Sequence, residues 1–429
     1  NHPLDCPICD QAGECELQDV SMGFGFGESN YRQSKRVVKD EDLGPLIATD
    51  MTRCIHCSRC VRFGDEVGGM PELGLVDRGG QTKISTYLEK TLQSEMSGNM
   101  IDLCPVGAIT SKPHRYIGRS WSYKQHASIS PHDCVGSHLY YHSADEKSQS
   151  QLSITRVVPK PCEPINENWL SNRDRFSYLG IEHEDRIKTP MIKRSDTWVE
   201  VDWSEALHQV NKILQTQSSQ SIYGMMSPTA TIEEMYLFRQ WLELFGCYHF
   251  DHRLKETDFD DQAEMPLYPG SLELSLESIE EMDSILVIGG NIRHEQPLLN
   301  HRIRKAVTQN QTRVHELNMT SIESNYKRES HYVSSPQKFA LTLATWLDTA
   351  QQCLQSEAEP IAQQTIEAQA LEVGRKMIDC LSESKKTLVI LGLSAQRHPQ
   401  ASQIRRMTKK LAKICKSHLI FVTDGPNSA

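Results

Sequence analysis

The sequence predicts an α/β chain of two characters: a small, loop-rich front that holds metal through cysteine, and a long tail built on a doubly wound, mostly parallel sheet. Three observations carry this reading. Seven of the 13 cysteines fall within the first 104 residues at tight spacings, while the other six are scattered singly. From about residue 186 onward, short β-branched runs alternate with helical periodicity, which is the pattern of strands joined by crossover helices. The chain has 429 residues, of which 38% are hydrophobic and 24% charged, enough for two or three compact units of ordinary composition.

Charge and hydropathy exclude several classes. Lys and Arg total 46 against 56 Asp and Glu, a net charge of −10, so general phosphate binding and nucleic acid are disfavoured. No apolar run approaches the roughly 18 residues of a membrane-spanning helix. A membrane role is therefore expected only through partners. The chain opens on Asn1, His2 and Pro3 without an initiator Met or a leader, and closes on a strand-like run at 419–422 followed by a turn at 423–429. Both ends read as cuts within a longer protein.

The front begins with His2, Cys6, Cys9 and Cys15 on a Gly- and Pro-punctuated segment. The Cys6-x2-Cys9 spacing lets one loop turn two sulfurs toward a common centre, with His2 and Cys15 closing the set. Three cysteines and one histidine also make an accepted structural zinc set. The odd total and clustered spacing argue against a secreted disulfide framework. The second constellation is more specific. Cys54-x2-Cys57-x2-Cys60 is the run bacterial-type ferredoxins use for a [4Fe–4S] cluster. Its fourth sulfur is expected from a distant Cys followed by Pro, and Cys104-Pro105 supplies it.

Taken in order, these motifs and the α/β tail resemble the large iron–sulfur subunit of respiratory complex I, the NADH:quinone oxidoreductase-G family, most specifically from His2 to about Tyr178. The resemblance implies a ferredoxin-like iron–sulfur region followed by a truncated molybdopterin-oxidoreductase-like domain. It implies that His2, Cys6, Cys9 and Cys15 ligate one [4Fe–4S] cluster and that Cys54, Cys57, Cys60 and Cys104 ligate another. A [2Fe–2S] cluster belongs to the family's upstream domain, which this chain starts too late to contain. The expected division is 1–40 for the one-His, three-Cys region, 41–122 for the four-Cys region, 123–185 for a degenerate third iron–sulfur domain and 186–429 for the α/β domain.

The third segment departs from the family pattern. Where some members carry four further cysteines, this chain has Ser130, Asp133, Ser137 and Ser171, with Cys134 one place off register. Hydroxyl and carboxylate oxygens match cluster iron poorly beside thiolate, so a fold remnant without a third [4Fe–4S] cluster is expected, with Cys134 a small buried hydrophobe. His126, His132, His138 and His142 lack ligand-grade spacing and read as solvated. Arg53, His56, Arg59 and Arg62 flank the second set, either tuning it or forming a basic surface patch.

In the tail, residues 203–215 read as a helix capped by Ser204, with Ala206, Leu207, Val210, Ile213 and Leu214 on one face. Residues 221–226 read as a short buried strand. Residues 231–246 read as a helix started by Thr231 and stopped by Gly246. Strands follow at 285–288, 312–317 and 388–391, with a helix at 297–307. Gly289, Gly290, Asn291 and Gly392 sit where a doubly wound sheet presents its crevice, and tight turns that need Gly account for them. The nicotinamide and ATP phosphate-loop fingerprints are both absent, and no molybdopterin is expected.

The expected function is therefore one-electron relay from an NADH- and flavin-bearing partner toward quinone, through cluster-bearing partner subunits, with no catalytic residue in this chain. The expected place is peripheral, on the cytoplasmic side of a bacterial inner membrane or the matrix side in an organelle. Two alternatives share features: an iron–sulfur subunit of a formate dehydrogenase or hydrogenase, and a zinc-stapled interaction module.

Overall fold

A computed structural model describes residues 2–425 apart from 87–89, 145–152, 182, 264–273 and 355–367. Asn1 and the end of the expected turn, at 426–429, lie outside the described residues. The tail is organised by five parallel strands: β1 (Ser284–Ile288), β2 (Arg313–Asn318), β3 (Ser330–Val333), β4 (Thr387–Leu391) and β5 (His418–Phe421), in the order β3-β2-β1-β4-β5. This is the predicted doubly wound class. The apolar runs in β1 and β4 are buried along their whole length, as central parallel strands covered on both faces must be.

Side chains of those two strands alternate between two cores. Ile285, Val287, Leu388 and Ile390 belong to one apolar cluster, while Leu286, Ile288, Val389 and Leu391 belong to the other. The second core is filled by helices Pro336–Leu354, Ala368–Glu383 and Ala401–Ile414, through Phe339, Leu343, Trp346, Met377, Ile378 and Ile404. The first core runs on into the front, taking in Leu43, Ile47, Met51, Phe63, Met100 and Val106. Front and tail therefore share one continuous apolar cluster, and the cysteine loops are packed against the sheet rather than hung from it.

The front is built from short elements. Ile47–Thr49 pairs antiparallel with Ile109–Ser111, and Leu73–Val76 with Lys83–Thr86. A three-stranded antiparallel sheet of Tyr123–Ile129, His138–Ala144 and Ser153–Pro159 follows. The sequence does not announce it, because these strands carry histidines and serines where a clean apolar alternation would mark a half-buried strand.

Several sequence expectations need correction. Helix Trp203–Thr216 is capped by Asp202, whose carboxylate accepts from the Glu205 N–H at 2.7 Å, so Ser204 is already inside the first turn. None of that helix's residues is buried, and Trp203 and Leu207 are exposed. Period finds the helix, but it does not say that a core faces it. The strand expected at 221–226 shrinks to Gly224–Met225, preceded by a 3₁₀ turn at Ser219–Ser221. Helix Ile232–Glu243 has the expected Thr231 cap, completed by Glu234 as a capping box, and Gly246 is left-handed at φ +69°.

Gly289, Gly290 and Gly392 end β1 and β4 at the point where strand order reverses. Gly289 has φ +60°, and a side chain on Gly392 would collide with the backbone of Gly290. The glycines therefore serve a direct approach of two loop backbones.

Candidate iron–sulfur sites

The second thiol set is built by one tight loop and one distant turn. After the 3₁₀ turn Met51–Arg53, the chain passes Cys54, enters left-handed backbone at His56 (φ 55°) and Ser58 (φ 57°), and starts a helix at Arg59. Alternating right- and left-handed residues make a concave backbone nest that favours negative charge. Accordingly, the His56 N–H points at Cys54 Sγ at 3.4 Å. Cys104 ends helix Asn99–Leu103, and the backbone N–H groups of Val106, Ala108 and Ile109 face its sulfur.

All four sulfurs line one cavity with Met51, Ile55, Ile84, Pro105, Val106, Ala108 and Ile109. Burial pushes the Cys104 and Cys54 thiols up. Cys60 is pushed up to about 12 by burial and by the neighbouring Cys104, Cys54 and Cys57. Such thiols give up their protons to bound metal rather than to water. An apolar cup with four converging sulfurs and inward backbone donors fits a thiolate-ligated cluster.

The first set is held by arginines. The 3₁₀ turn Cys6–Ile8 follows Asp5, and Cys15 is the cap residue of helix Glu16–Phe24. Arg119 donates to the carbonyls of Cys9, at 2.5 Å, and Pro7. Arg156 pairs with Glu14 at 2.6 Å, and Arg59 pairs with Glu16 at the same distance. His2 Nδ1 is buried without a hydrogen-bond partner, and burial holds the imidazole below its usual range, so the ring is neutral. A neutral ring with an unoccupied buried nitrogen suits a ligand position. Cys9 and Cys15 are buried and Cys6 is exposed. Among the described residues, no three His, Cys, Asp or Glu side chains converge within single-ion bonding range.

One turn joins the two sets. Cys104 belongs to the second, the Pro105 carbonyl lies 3.5 Å from Cys15 Sγ, and Gly107 lies so close to Cys9 that a side chain there would collide with its sulfur. Sequence spacing singles out Cys104 and Pro105 but gives no sign that Gly107 backs the other set. Arg119 and Arg156 carry no recognisable signal either, since an arginine far along the chain looks like any surface charge.

The third segment brings together all four residues aligned with the missing cysteines. Ser130, Asp133, Ser137 and Ser171 are each at most 1% exposed. The residue that organises them, which the sequence reading missed, is Asp174. It accepts from Ser130 Oγ at 2.5 Å and from Ser171 Oγ at 2.8 Å, while Ser171 caps helix Asn172–Phe176. Asp133 pairs with Arg173 at 2.8 Å, and burial and Asp174 hold its carboxyl above the usual range. A hydrogen-bonded oxygen network fills this position. Replacing Asp174 by Ala leaves two buried hydroxyls without acceptors. A loss of about 1–3 kcal/mol is expected, read as a lower thermal midpoint with unchanged iron content.

Three smaller expectations change. Cys134 is exposed as a residue rather than part of the core. His142 is buried, with Arg156 Nε donating to its Nδ1 at 2.9 Å, and burial first, then Arg156, push it down to about 4. The basic residues around the second set do not form one patch: Arg59 and Arg62 pair with Glu16 and Glu66 on the surface, whereas Arg53 is buried.

Comparison with known proteins agrees with this arrangement. Family models match residues 1–30 (NADH-ubiquinone oxidoreductase-G iron-sulfur binding region) and 44–110 (NADH-quinone oxidoreductase subunit 3, ferredoxin-like domain). Others match 123–179 (NADH-ubiquinone oxidoreductase NDSU1/NuoG-like, 4Fe-4S domain) and 186–420 (Molybdopterin oxidoreductase). The NADH-ubiquinone oxidoreductase 75 kDa subunit of Reclinomonas americana is 41% identical over 332 residues, covering 75% of this chain and 47% of that protein. An NADH-quinone oxidoreductase subunit of Rickettsia felis is 40% identical over 308 residues, covering 72% of this chain and 44% of that protein. The chain thus spans less than half the length of these curated relatives. With ferredoxin-like segments ahead of a molybdopterin-oxidoreductase domain, the chain belongs to the NADH-quinone oxidoreductase-G family, which includes the 75 kDa subunit.

Proposed function

We propose that this chain relays electrons one at a time within an NADH:quinone oxidoreductase, through two [4Fe–4S] centres. His2, Cys6, Cys9 and Cys15 hold the first; Cys54, Cys57, Cys60 and Cys104 hold the second. The observation that carries the proposal is the turn from Cys104 to Gly107, which touches both sets of sulfurs and so sets the two centres side by side. Bound clusters would supply one-electron acceptance and donation.

The chain's own residues do the rest. The apolar lining keeps water from the second set, the His56, Val106, Ala108 and Ile109 N–H groups face its sulfurs, and the arginine pairs fix the loop of the first. Neutral His2 in place of a thiolate leaves the first set one negative charge lighter, which by itself favours reduction.

The third segment, on this reading, is a structural remnant without iron, because Asp174 already satisfies Ser130 and Ser171. The α/β domain acts as scaffold without a pterin, its switch-point glycines being used for backbone packing. Segments 1–40, 41–122, 123–185 and 186–429 serve these separate roles. The partners are a flavin-bearing NADH-oxidising subunit on one side and cluster-bearing subunits toward the membrane on the other. None of the described helices is long and apolar enough to cross a membrane, and we place the chain peripherally, on the cytoplasmic or matrix side.

The test is the electron source. In the assembled enzyme, NADH should reduce both centres within a turnover. Centres that dithionite reduces and NADH does not would contradict the relay.

A further inference from the structure

Sequence adjacency assigns Arg53 to the second set, because it precedes Cys54. The fold turns its side chain the other way. Arg53 is 4% exposed. Its Nε donates to Asp5 Oδ2 at 3.1 Å, its Nη1 donates to the Gly107 carbonyl at 3.3 Å, and Nη1 also pairs with Asp50 Oδ2 at 3.0 Å. Two of these contacts lead to the first set: Asp5 precedes Cys6, and Gly107 backs Cys9. The point where a Gly107 side chain would strike Cys9 Sγ lies 3.6 Å from Arg53 Nη1, so the guanidinium and the Cys9 sulfur flank the same spot.

We propose that Arg53 is a positioning residue for the first centre, whose fixed positive charge raises that centre's reduction potential while leaving the second centre, its neighbour in sequence, little changed. The inference rests on the two-centre reading above. Adding an electron adds negative charge, and a buried cation only a few ångströms away stabilises the reduced form with little solvent screening. Asp5 and Asp50 offset part of that charge. Asp50 is also held by Arg115, at 2.8 and 2.9 Å, and the Asp5 side chain is 35% exposed. Both acids therefore keep a partner or water when Arg53 is neutralised, and the local field becomes more negative.

The experiment is an EPR-monitored redox titration of the assembled enzyme with wild type, R53Q, R53K and D5N. Poised at the wild-type midpoint of the first centre, R53Q should lower its reduced-to-oxidised ratio about tenfold, a shift of about 59 mV for one electron. R53K should stay near wild type, and D5N should raise the ratio. The second centre should move less in every variant. The D5N arm keeps the test alive if R53Q does not assemble. An unchanged first centre in R53Q, an equal shift of both centres, a fall in D5N, or loss of first-centre iron in R53K as well as R53Q would overturn the proposal. Absence of two four-iron signals in the wild type would instead bring down the underlying two-centre reading.

Discussion

Replacing Cys57 by Ser should remove the second centre and leave the first, with iron falling from about eight per chain to about four. Cys57 is the exposed member of its set, so the substitution opens no core cavity and costs the fold little. Its effect therefore reports the ligand role. A hydroxyl oxygen is a harder donor than a thiolate and matches cluster iron poorly. Low-temperature EPR of the reduced protein separates the two signals. Unchanged iron would take Cys57 out of the ligand set.

The second large effect is expected at Gly107. Its backbone is not among those with positive φ, so alanine is conformationally acceptable and the penalty is one of space alone. A methyl there collides with Cys9 Sγ. The nearby polar anchor, the hydrogen bond from Arg53 to the Gly107 carbonyl, resists any retreat of the turn. Gly107→Ala should therefore expel Cys9 and abolish the first centre, about half of the iron. The second centre should be weakened less, because Cys104 lies on the other side of Pro105. Full iron content in this variant would mean that Cys9 stands elsewhere in the loaded protein.

The contrast between these residues shows what the sequence discloses. Cys54, Cys57 and Cys60 are legible because one loop must present three sulfurs to one cluster, and that constraint is local. Cys104 is legible because Pro follows it. Gly107 and Arg53 act on the first set from positions dictated by tertiary packing, so no spacing rule finds them. The same division runs through the fold. Strands β1 and β4 are continuous apolar runs and can be read directly, whereas the three-stranded antiparallel sheet at 123–159 carries polar residues in its strands and cannot. In the third segment, sequence reading finds the four positions that lack cysteine. Asp174, the residue that stabilises them, becomes visible only once the chain folds Ser130 and Ser171 onto it.

The surface of helix Trp203–Thr216 makes a related point. Its periodicity is strong, yet Trp203, Leu207 and Ile213 are exposed. An amphipathic pattern specifies a helix with an apolar face, and what that face meets is a separate matter.

The central claim is that two cubane centres sit side by side on one turn, with an oxygen network where a third would be. Iron, acid-labile sulfide and zinc per chain, measured after anaerobic reconstitution alongside EPR of the reduced protein, test it most directly. The account predicts about eight iron, about eight sulfide and two distinct [4Fe–4S] signals. About twelve iron would contradict the reading of Ser130, Asp133, Ser137 and Ser171, and zinc without sulfide would contradict electron transfer altogether.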